Sequence, residues 1–547
     1  MAAVKKGSKS FSAEENERLV LRVFAFLVTL IRVWEIDNEW LPCNIGIVVF
    51  GVLAMATGSK SAMILASLAN MGRTWLKLPE VWDNYYWDLQ TDLAFIVCAG
   101  SLRKMAAILK WQYPFFYTAA AFWKINGAFL DPKSSCATIF TLQHLGAVFG
   151  EETALKVVPL VALASPAMTL ALESLAGLGM FFRPEIGALF AFVLHSMISL
   201  TPRPNNISSF SAKCAPKLLL YADIDVVASM IRKSRIVIFG LFLPVYVALL
   251  RSDKVTANWW SQDYATAIFF PQALLSSVAI VATMKMKKTS KRTPLLAYAF
   301  GLLAFMYSYL LIPLGVNDLG APSMYSNLKF HGGSNHLLMP TAYLQRTRFD
   351  DTSSVFFGGI VRVEDTNSSF IRQLYPGDQT DELEPLSMPA LLTKAGYTPP
   401  RMYHPAVGRV IGLMARPPRQ SWVPFTFFAF ELRRLVAEAN ADNEGPFSIT
   451  YARLPGMEGD ELWRAEAFVS KTTAHFDHNG SLTTCKTTHS SSSMTQDCAQ
   501  DEIAKLPPLP WYALKTMLFL PYPVLVRDPD TPDPTLRYPP HPQCFGP

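Results

Sequence analysis

The stretch WQYPFFYTAAAFWKINGAFLDPKSSC, residues 111–136, begins with an uncharged, aromatic-rich run that ends at Lys124. An ionisable side chain inside a membrane segment is costly and usually faces a polar interior or a cavity. A second interpretation is open at the end of such a segment, where the ammonium group extends to the lipid headgroups. Both interpretations assume a membrane, so the fold class depends on the rest of the chain.

The composition favours a polytopic membrane protein. Hydrophobic residues make up 50% of the 547-residue chain and charged residues only 17%, whereas about a quarter of the residues of a soluble protein are charged. Apolar windows near the ~20 residues that cross a bilayer recur along the first part of the chain. Clear windows lie at 21–35, 43–58, 111–127, 154–182, 185–201, 236–250, 266–284 and 294–316, and weaker ones at 61–76 and 91–109.

The positions of the basic residues predict how these windows cross the membrane. Clusters near the amino terminus and at 285–292 are both expected in the cytosol, so an even number of crossings must separate them. The sequence therefore predicts an integral membrane α-helical bundle of about nine transmembrane helices, followed by a β-rich α+β extramembrane C-terminal domain. Because the net charge of +6 comes largely from such loop clusters, nucleic acid is not a predicted partner.

The predicted domain boundaries follow from this pattern. The predicted domains are a cytosolic lead at 1–20, a transmembrane domain at 21–316, an extramembrane, lumenal domain at 317–510, and a proline-rich extended tail at 511–547. The predicted location is the endoplasmic reticulum membrane, or the plasma membrane if the protein is bacterial. The sequons at Asn367 and Asn479 fit a lumenal C-terminal domain, and the side of a third, at Asn206, is not fixed.

The C-terminal third has mixed patterns. SSVFFGGIVRVED at 353–365 and FSITYARLP at 447–455 predict strands, and FAFELRRLVAEAN at 428–440 predicts a helix. The polar stretch SLTTCKTTHSSSSMTQDC at 481–498 predicts a mobile loop. Cys485, Cys498 and Cys544 could form a disulfide if this side of the membrane is oxidising.

Four sequence blocks, in the expected order, resemble the vitamin K-dependent gamma-carboxylases. Their bacterial relatives are grouped with them as the horizontally transferred transmembrane (HTTM) domain family. The blocks are VWDNYYWDLQTDL at 81–93, YTAAAFWKINGAFLDPKSSCA at 117–137, FVLHSMISLTPRPNNISSFS at 192–211 and MYSNLKFHGGSNHLLMP at 324–340.

The resemblance implies an enzyme in which Lys124 is the base that deprotonates reduced vitamin K or another lipid hydroquinone. Oxygen (O2) then adds, and in the carboxylases the strong base that results deprotonates glutamate, which captures carbon dioxide (CO2). The implied catalytic residues are Lys124, Tyr85 and His195, and the implied pocket comprises Trp82, Asn84, Trp123, Asn126, His331 and His336. The implied partners are membrane lipid and a polypeptide or lipid substrate, without a metal.

General chemistry agrees on one point, because a fully desolvated lysine can act as a neutral amine and hence as a general base. Tyr85, however, stands where the family block has a histidine after Asn84. A phenol, with a usual pKa near ~10, is a poor acid–base group at neutral pH. This departure favours hydroquinone oxidation over carboxylation.

Several residues keep two interpretations. Glu173 is a plausible partner for Lys124, and such a pair would keep the lysine charged. His195 serves either in packing and hydrogen bonding or in the site. FHGGSNH at 330–336 is a tight turn or a polar lid. HFDHNG at 475–480 resembles a metal cluster but lacks a fourth ligand at a defined spacing.

Two alternative functions stay open. One is a non-carboxylating isoprenoid-lipid epoxidase or cyclase on the same scaffold. The other is a non-enzymatic lipid or anion transporter, in which Lys124 binds an anion or a headgroup. Many transporters have inverted repeats or paired broken helices, and the sequence contains no evident pattern of either kind.

Overall fold

The structure is a computed structural model. It describes residues 11–35, 40–78, 81, 83–132, 135–201, 208–234, 262–286, 293–314, 323, 326, 328, 336–339, 360–374, 425–441, 445–453, 470–489, 495–498, 503–507 and 518. The chain divides into two compact units. The first comprises Met1–Lys77, Asn84–Thr118 and Leu172–Phe305, and the second comprises Leu78–Asp83, Ala119–Ala171 and Met306–Pro547.

Helices account for most of the described residues. In chain order they are α1 (Ala13–Trp34), α2 (Leu41–Thr57), α3 (Lys60–Lys77), α4 (Asp83–Val97), α5 (Leu102–Trp123), α6 (Gly127–Leu130), α7 (Cys136–Phe149), α8 (Glu151–Phe182), α9 (Pro184–Leu200), α10 (Ser208–Leu218), α11 (Ile224–Lys233), α12 (Gln262–Met284), α13 (Leu295–Phe305), α14 (Ser369–Leu374) and α15 (Ala429–Ala441).

Local capping and backbone geometry determine where the first helices begin and end. At α1, the Ser12 hydroxyl accepts the N–H of Glu15 while the Glu15 carboxylate accepts the N–H of Ser12, which is a capping box. The α2 helix ends at Gly58, whose φ of 69° is left-handed. Ala99 and Gly100 also have positive φ angles and separate α4 from α5. The apolar window at 91–109 is therefore two helices, not one span.

The prediction of about nine transmembrane helices is wrong. Among the described residues, only Glu152–Phe182 and Ala265–Met284 are long and apolar enough to cross a membrane. Three shorter apolar helices cover Leu41–Thr57, Pro184–Leu200 and Leu295–Leu310. With this count, an even number of crossings between the two basic clusters is no longer a basis for the predicted topology. The window at 236–250 lies outside the described residues.

Charged residues in two of these helices account for part of the overcount of membrane spans. The window at 21–35 belongs to α1, which carries Glu14 and Glu15 in its first turn and a buried Arg32 in its last. The window at 61–76 belongs to α3, which buries Arg73. Both arginines are paired with carboxylates, so these helices are held by polar contacts that an average over apolar residues does not reveal.

A small antiparallel sheet of six strands lies in the second unit. The strands are β1 (Ile360–Thr366), β2 (Phe425–Phe428), β3 (Phe447–Arg453), β4 (Ser470–Phe476), β5 (Leu482–His489) and β6 (Thr495–Asp497), in the order β2-β1-β3-β4-β5-β6. Alternate residues of the sheet, such as Val361, Ile449 and Ala474, are buried in one core with Leu432 and Leu435 of α15. This period of two is expected for a sheet that is covered on one face.

The segments predicted as strands overlap β1 and contain β3, and the predicted helix overlaps α15. The predicted mobile loop at 481–498 is wrong, because it contains β5 and β6. Threonine favours a pleated surface, and the hydroxyls of Thr472 and Thr487 lie 3.0 Å apart across β4 and β5. Cys485 of β5 forms a disulfide with Cys498, which directly follows β6.

Replacing Cys485 and Cys498 by serine should destabilise the edge of this sheet. The disulfide spans 13 residues, and closing a loop of that size stabilises a fold by about 2–3 kcal/mol. Hydrogen–deuterium exchange of the full chain should therefore become faster in β4–β6. Cys43→Ser, which removes a free thiol, is the control, and unchanged exchange in the double variant would contradict the expectation.

Candidate functional site

Lys124 lies in the turn that follows α5. Its backbone N–H donates to the carbonyl of Ala121 at 3.1 Å, which closes the last turn of the helix. The residue is only 4% exposed, and its Nζ lies 5.8 Å from the centroid of the Phe129 ring. This burial supports the enclosed amine of the sequence analysis over a side chain that extends to headgroups, although the role of Lys124 stays a prediction.

Asn126 holds the turn in shape. Its Oδ1 accepts the N–H of Phe129 at 2.9 Å and so caps α6. Its Nδ2 donates to the carbonyls of Trp123 at 2.8 Å and Ser326 at 2.7 Å. Because both donor hydrogens of the amide have a partner, and the side chain is fully buried, Asn126 positions the backbone beside Lys124. A substrate contact would displace one of these bonds.

The ring of His336 is held by backbone groups. Its Nε2 lies 3.0 Å from the carbonyl of Phe122, which can only accept, so Nε2 carries the proton. Its Nδ1 accepts the N–H groups of Leu338 and Met339 at 3.2 and 3.1 Å. Burial lowers the pKa of His336, although the bond to Phe122 acts in the opposite direction. The neutral ring is therefore a structural support of the turn.

Two further contacts join residues 336–339 to the end of α5. The N–H of Leu337 donates to the carbonyl of Ile125 at 3.0 Å, and the ring of Phe122 lies 4.7 Å from that of His336. Trp123 is fully buried, and its Nε1 donates to the carbonyl of Ser308 at 2.9 Å. The structure thus brings together four of the predicted residues, namely Lys124, Trp123, Asn126 and His336.

The other predicted site residues lie elsewhere or are not described. Trp82 and His331 lie outside the described residues. Asn84 and Tyr85 belong to the first unit, where Lys213 lies between them. The Lys213 Nζ is 3.2 Å from Asn84 Oδ1 and 3.6 Å from the centroid of the Tyr85 ring. Tyr85 therefore presents its aromatic face to a cation.

His195 also belongs to the first unit and is fully buried. Its Nε2 lies 2.6 Å from the hydroxyl of Tyr117, and its Nδ1 lies 3.1 Å from the hydroxyl of Ser211. Both ring nitrogens are thus engaged by protein hydroxyls. This geometry supports the packing and hydrogen-bonding interpretation, and the catalytic role of His195 stays a prediction.

The sequence analysis missed a buried ionic network in the first unit. Lys213 pairs with Glu35 at 2.6 Å, and Lys217 pairs with Asp88. The other ion pairs are Arg32 with Asp92 at 2.5 Å, Arg32 with Asp88 at 3.6 Å, and Arg73 with Glu35 at 3.3 Å. These contacts connect α4 and α10 with α1 and α3.

A spacing signal for this network was present in the sequence. Asp88 and Asp92 are four residues apart on α4, and Lys213 and Lys217 are four apart on α10. Residues with this spacing share one face of a helix. Two carboxylates on one helix and two amines on another therefore indicate two charged faces that need partners, but not which faces meet.

No metal centre is assembled in the part of the chain that the structure describes, where groups of three or more ligating side chains are absent. Of the sequence HFDHNG, Asp477 uses its Oδ1 to accept the backbone N–H groups of Asn479 and Ser481, each at 2.8 Å. That carboxylate oxygen caps a turn between β4 and β5.

The neutral ring of His336 should make the turn sensitive to acid. Its pKa is lower in the folded chain than the ~6.5 of an unfolded histidine, so the unfolded state binds more protons below that value. Stability is then complete above pH ~6.5 and is lost as the pH falls through the folded-state pKa. His336→Gln should reduce this loss in thermal unfolding between pH ~7 and ~5. His475→Gln, at an exposed position, is the control, and an equal pH dependence in both variants would contradict the assignment.

Lys217→Met should strongly destabilise the first unit. It removes a cation that pairs with Asp88, where both side chains are buried, and breaking a buried pair costs about 3–5 kcal/mol. Lys60→Met is the matched control, because Lys60 is 40% exposed and lies 3.7 Å from Glu17; such pairs contribute about 0–1 kcal/mol. Thermal unfolding of the purified variants measures both, and equal losses would show that the buried pair is not specially important.

Comparison with known proteins matches only the C-terminal part of the chain. Residues 334–515 match the family model of a domain of unknown function, DUF8388. No curated protein matches the chain, and no solved structure matches it. The matched residues cover less than half of the chain and include all six strands of the sheet, so the match delimits a region and assigns it no chemistry.

Proposed function

We propose that this protein is a membrane enzyme in which Lys124 acts as the base on an apolar substrate of the lipid-hydroquinone class. The observation that carries this proposal is the 4% exposure of Lys124 in a turn that Asn126 and His336 hold in place. In the proposed step, the Nζ takes the proton of a hydroquinone hydroxyl, which leaves an ammonium group and a hydroquinone anion.

The pattern of exposure on α12 supports a membrane location. Leu274, Val278 and Val281 are exposed on one face, whereas Gln272 and Ser276 are fully buried. In water, a helix normally buries its apolar face and exposes its polar one. Ile268 and Phe269 are buried as well, so α12 is apolar on both faces, which fits a helix whose outer face contacts hydrocarbon.

Helix α8, the longer of the two candidate spans, likewise exposes large apolar side chains. Leu163 and Phe182 are 72% and 79% exposed, whereas Ser165 and Glu173 are buried. A bilayer would remove these large apolar side chains from water. The proposal therefore places α8 and α12 in contact with lipid, and it requires only the two spans that their length and composition allow.

The substrate class comes from the resemblance to the gamma-carboxylases and from the position of Tyr85. Its ring lies against the Lys213 ammonium, and a phenol is a poor substitute for histidine in proton transfer near neutral pH. We therefore propose that O2, the co-substrate that the resemblance implies, accepts two electrons and two protons from the hydroquinone, and that glutamate is not carboxylated. A purified protein that incorporates labelled bicarbonate into a glutamate peptide would contradict this part of the proposal.

Substitutions of Lys124 test the base directly. Lys124→Ala removes the amine, and Lys124→Arg replaces it with a guanidinium that stays protonated. Both should lower the rate of lipid-hydroquinone oxidation by about 10²–10⁴-fold, measured by absorbance and lipid mass spectrometry on protein in lipid nanodiscs. Lys60→Ala is the control, since Lys60 is partly exposed on α3, and it should retain the wild-type rate.

Three outcomes would contradict the assignment. Full activity in Lys124→Arg would show that only the positive charge matters, as expected for an anion-binding or headgroup-binding lysine. Loss of folding in Lys124→Ala together with normal activity in Lys124→Arg would indicate a purely structural role. Ion or lipid flux through proteoliposomes without any hydroquinone turnover would favour the transporter.

A further inference from the structure

The turn between β4 and β5 presents an Asn-X-Ser sequon at its tip. Asn479 and Ser481 are both exposed, and Gly480 between them has a φ of 72°. The Asp477 carboxylate accepts the backbone N–H of each flanking residue at 2.8 Å. The turn is therefore fixed through its backbone, and a group attached to the Asn479 side chain displaces none of these bonds.

The second sequon in the described residues has a different environment. The Asn367 Oδ1 accepts the backbone N–H of Ser448 at 2.6 Å, and the Asn367 N–H donates to the Ser448 carbonyl at 3.3 Å. These bonds fasten the end of β1 to β3. These bonds use the side-chain oxygen and the backbone N–H of Asn367, and not the amide nitrogen to which a glycan is attached.

A disulfide supplies an independent indication of the compartment. Cys485 lies in β5, directly after the turn, and is bonded to Cys498 next to β6. Structural disulfides persist in the secretory lumen or outside the cell and are rare in the cytosol. N-linked glycans on Asn-X-Ser sequons likewise mark surface loops of secreted regions. Both features belong to the same part of the sheet.

We propose that Asn479 carries an N-linked glycan. Transfer forms a bond between Asn479 Nδ2 and C1 of a sugar from a lipid-linked oligosaccharide donor. The C1–O bond to the lipid diphosphate breaks, and the diphosphate and one amide proton leave. The sheet formed by β1–β6 is then on the lumenal or extracellular side. This placement does not depend on the reaction proposed for Lys124.

Site mapping of the full chain expressed in cultured eukaryotic cells tests this proposal. Enzymatic deglycosylation in heavy-oxygen water converts an occupied asparagine to labelled aspartate, which mass spectrometry locates, so a glycan at Asn206 is distinguished. We expect the label at Asn479. Asn479→Gln and Ser481→Ala should both remove it, whereas Ser481→Thr and Asn367→Gln should leave it.

Thiol alkylation under non-reducing conditions serves as the folding control, because folded protein retains the bond between Cys485 and Cys498. An unmodified Asn479 in folded wild-type protein would overturn the proposal. Since neither readout involves turnover, inactive Lys124 variants should keep the glycan, and a failure of the proposed reaction would not affect this result.

Discussion

The constraint on which the first unit depends is that a buried charge needs a partner of opposite charge. Helix α10 places Lys213 and Lys217 in the protein interior, where an isolated ammonium would be very costly. Carboxylates from Glu35 and Asp88 meet these amines. A chain with so few charged residues thus uses several of them to fix how α1, α3, α4 and α10 pack, and the apolar residues fill the space around these contacts.

The sequence predicted local features better than the number of membrane crossings. Alternation along 447–455 and helical spacing along 428–440 were sufficient for β3 and α15, because the buried face of each element repeats at a regular period. Counting apolar windows failed because a window average is insensitive to a break such as Ala99 and Gly100. It also hides the buried Arg32 of α1 and the buried Arg73 of α3. The threonine-rich strand β5 was missed because polar residues also form strands when one face packs.

The candidate site, too, could be predicted only in part from the sequence. The residues from Trp123 to Asn126 are neighbours in sequence, and the block around His336 joined them through the family resemblance, so this cluster could be predicted. The ionic network could not be predicted by that route, since Lys217 and Asp88 are 129 residues apart. Spacing along each helix predicts which residues share a face. Which two faces meet is decided by the tertiary packing.

The enclosure of Lys124 also bears on how often the amine can be reached. A lipid molecule cannot contact a side chain that is 4% exposed without a local opening of the protein. The bonds from Leu337 to Ile125, from His336 to Phe122 and from Trp123 to Ser308 hold the surrounding segments together. At about 1 kcal/mol net for each bond, breaking all three leaves an open population on the order of one molecule in a hundred. If Lys124 is the base proposed above, the apparent affinity for a substrate would be lowered by about that fraction.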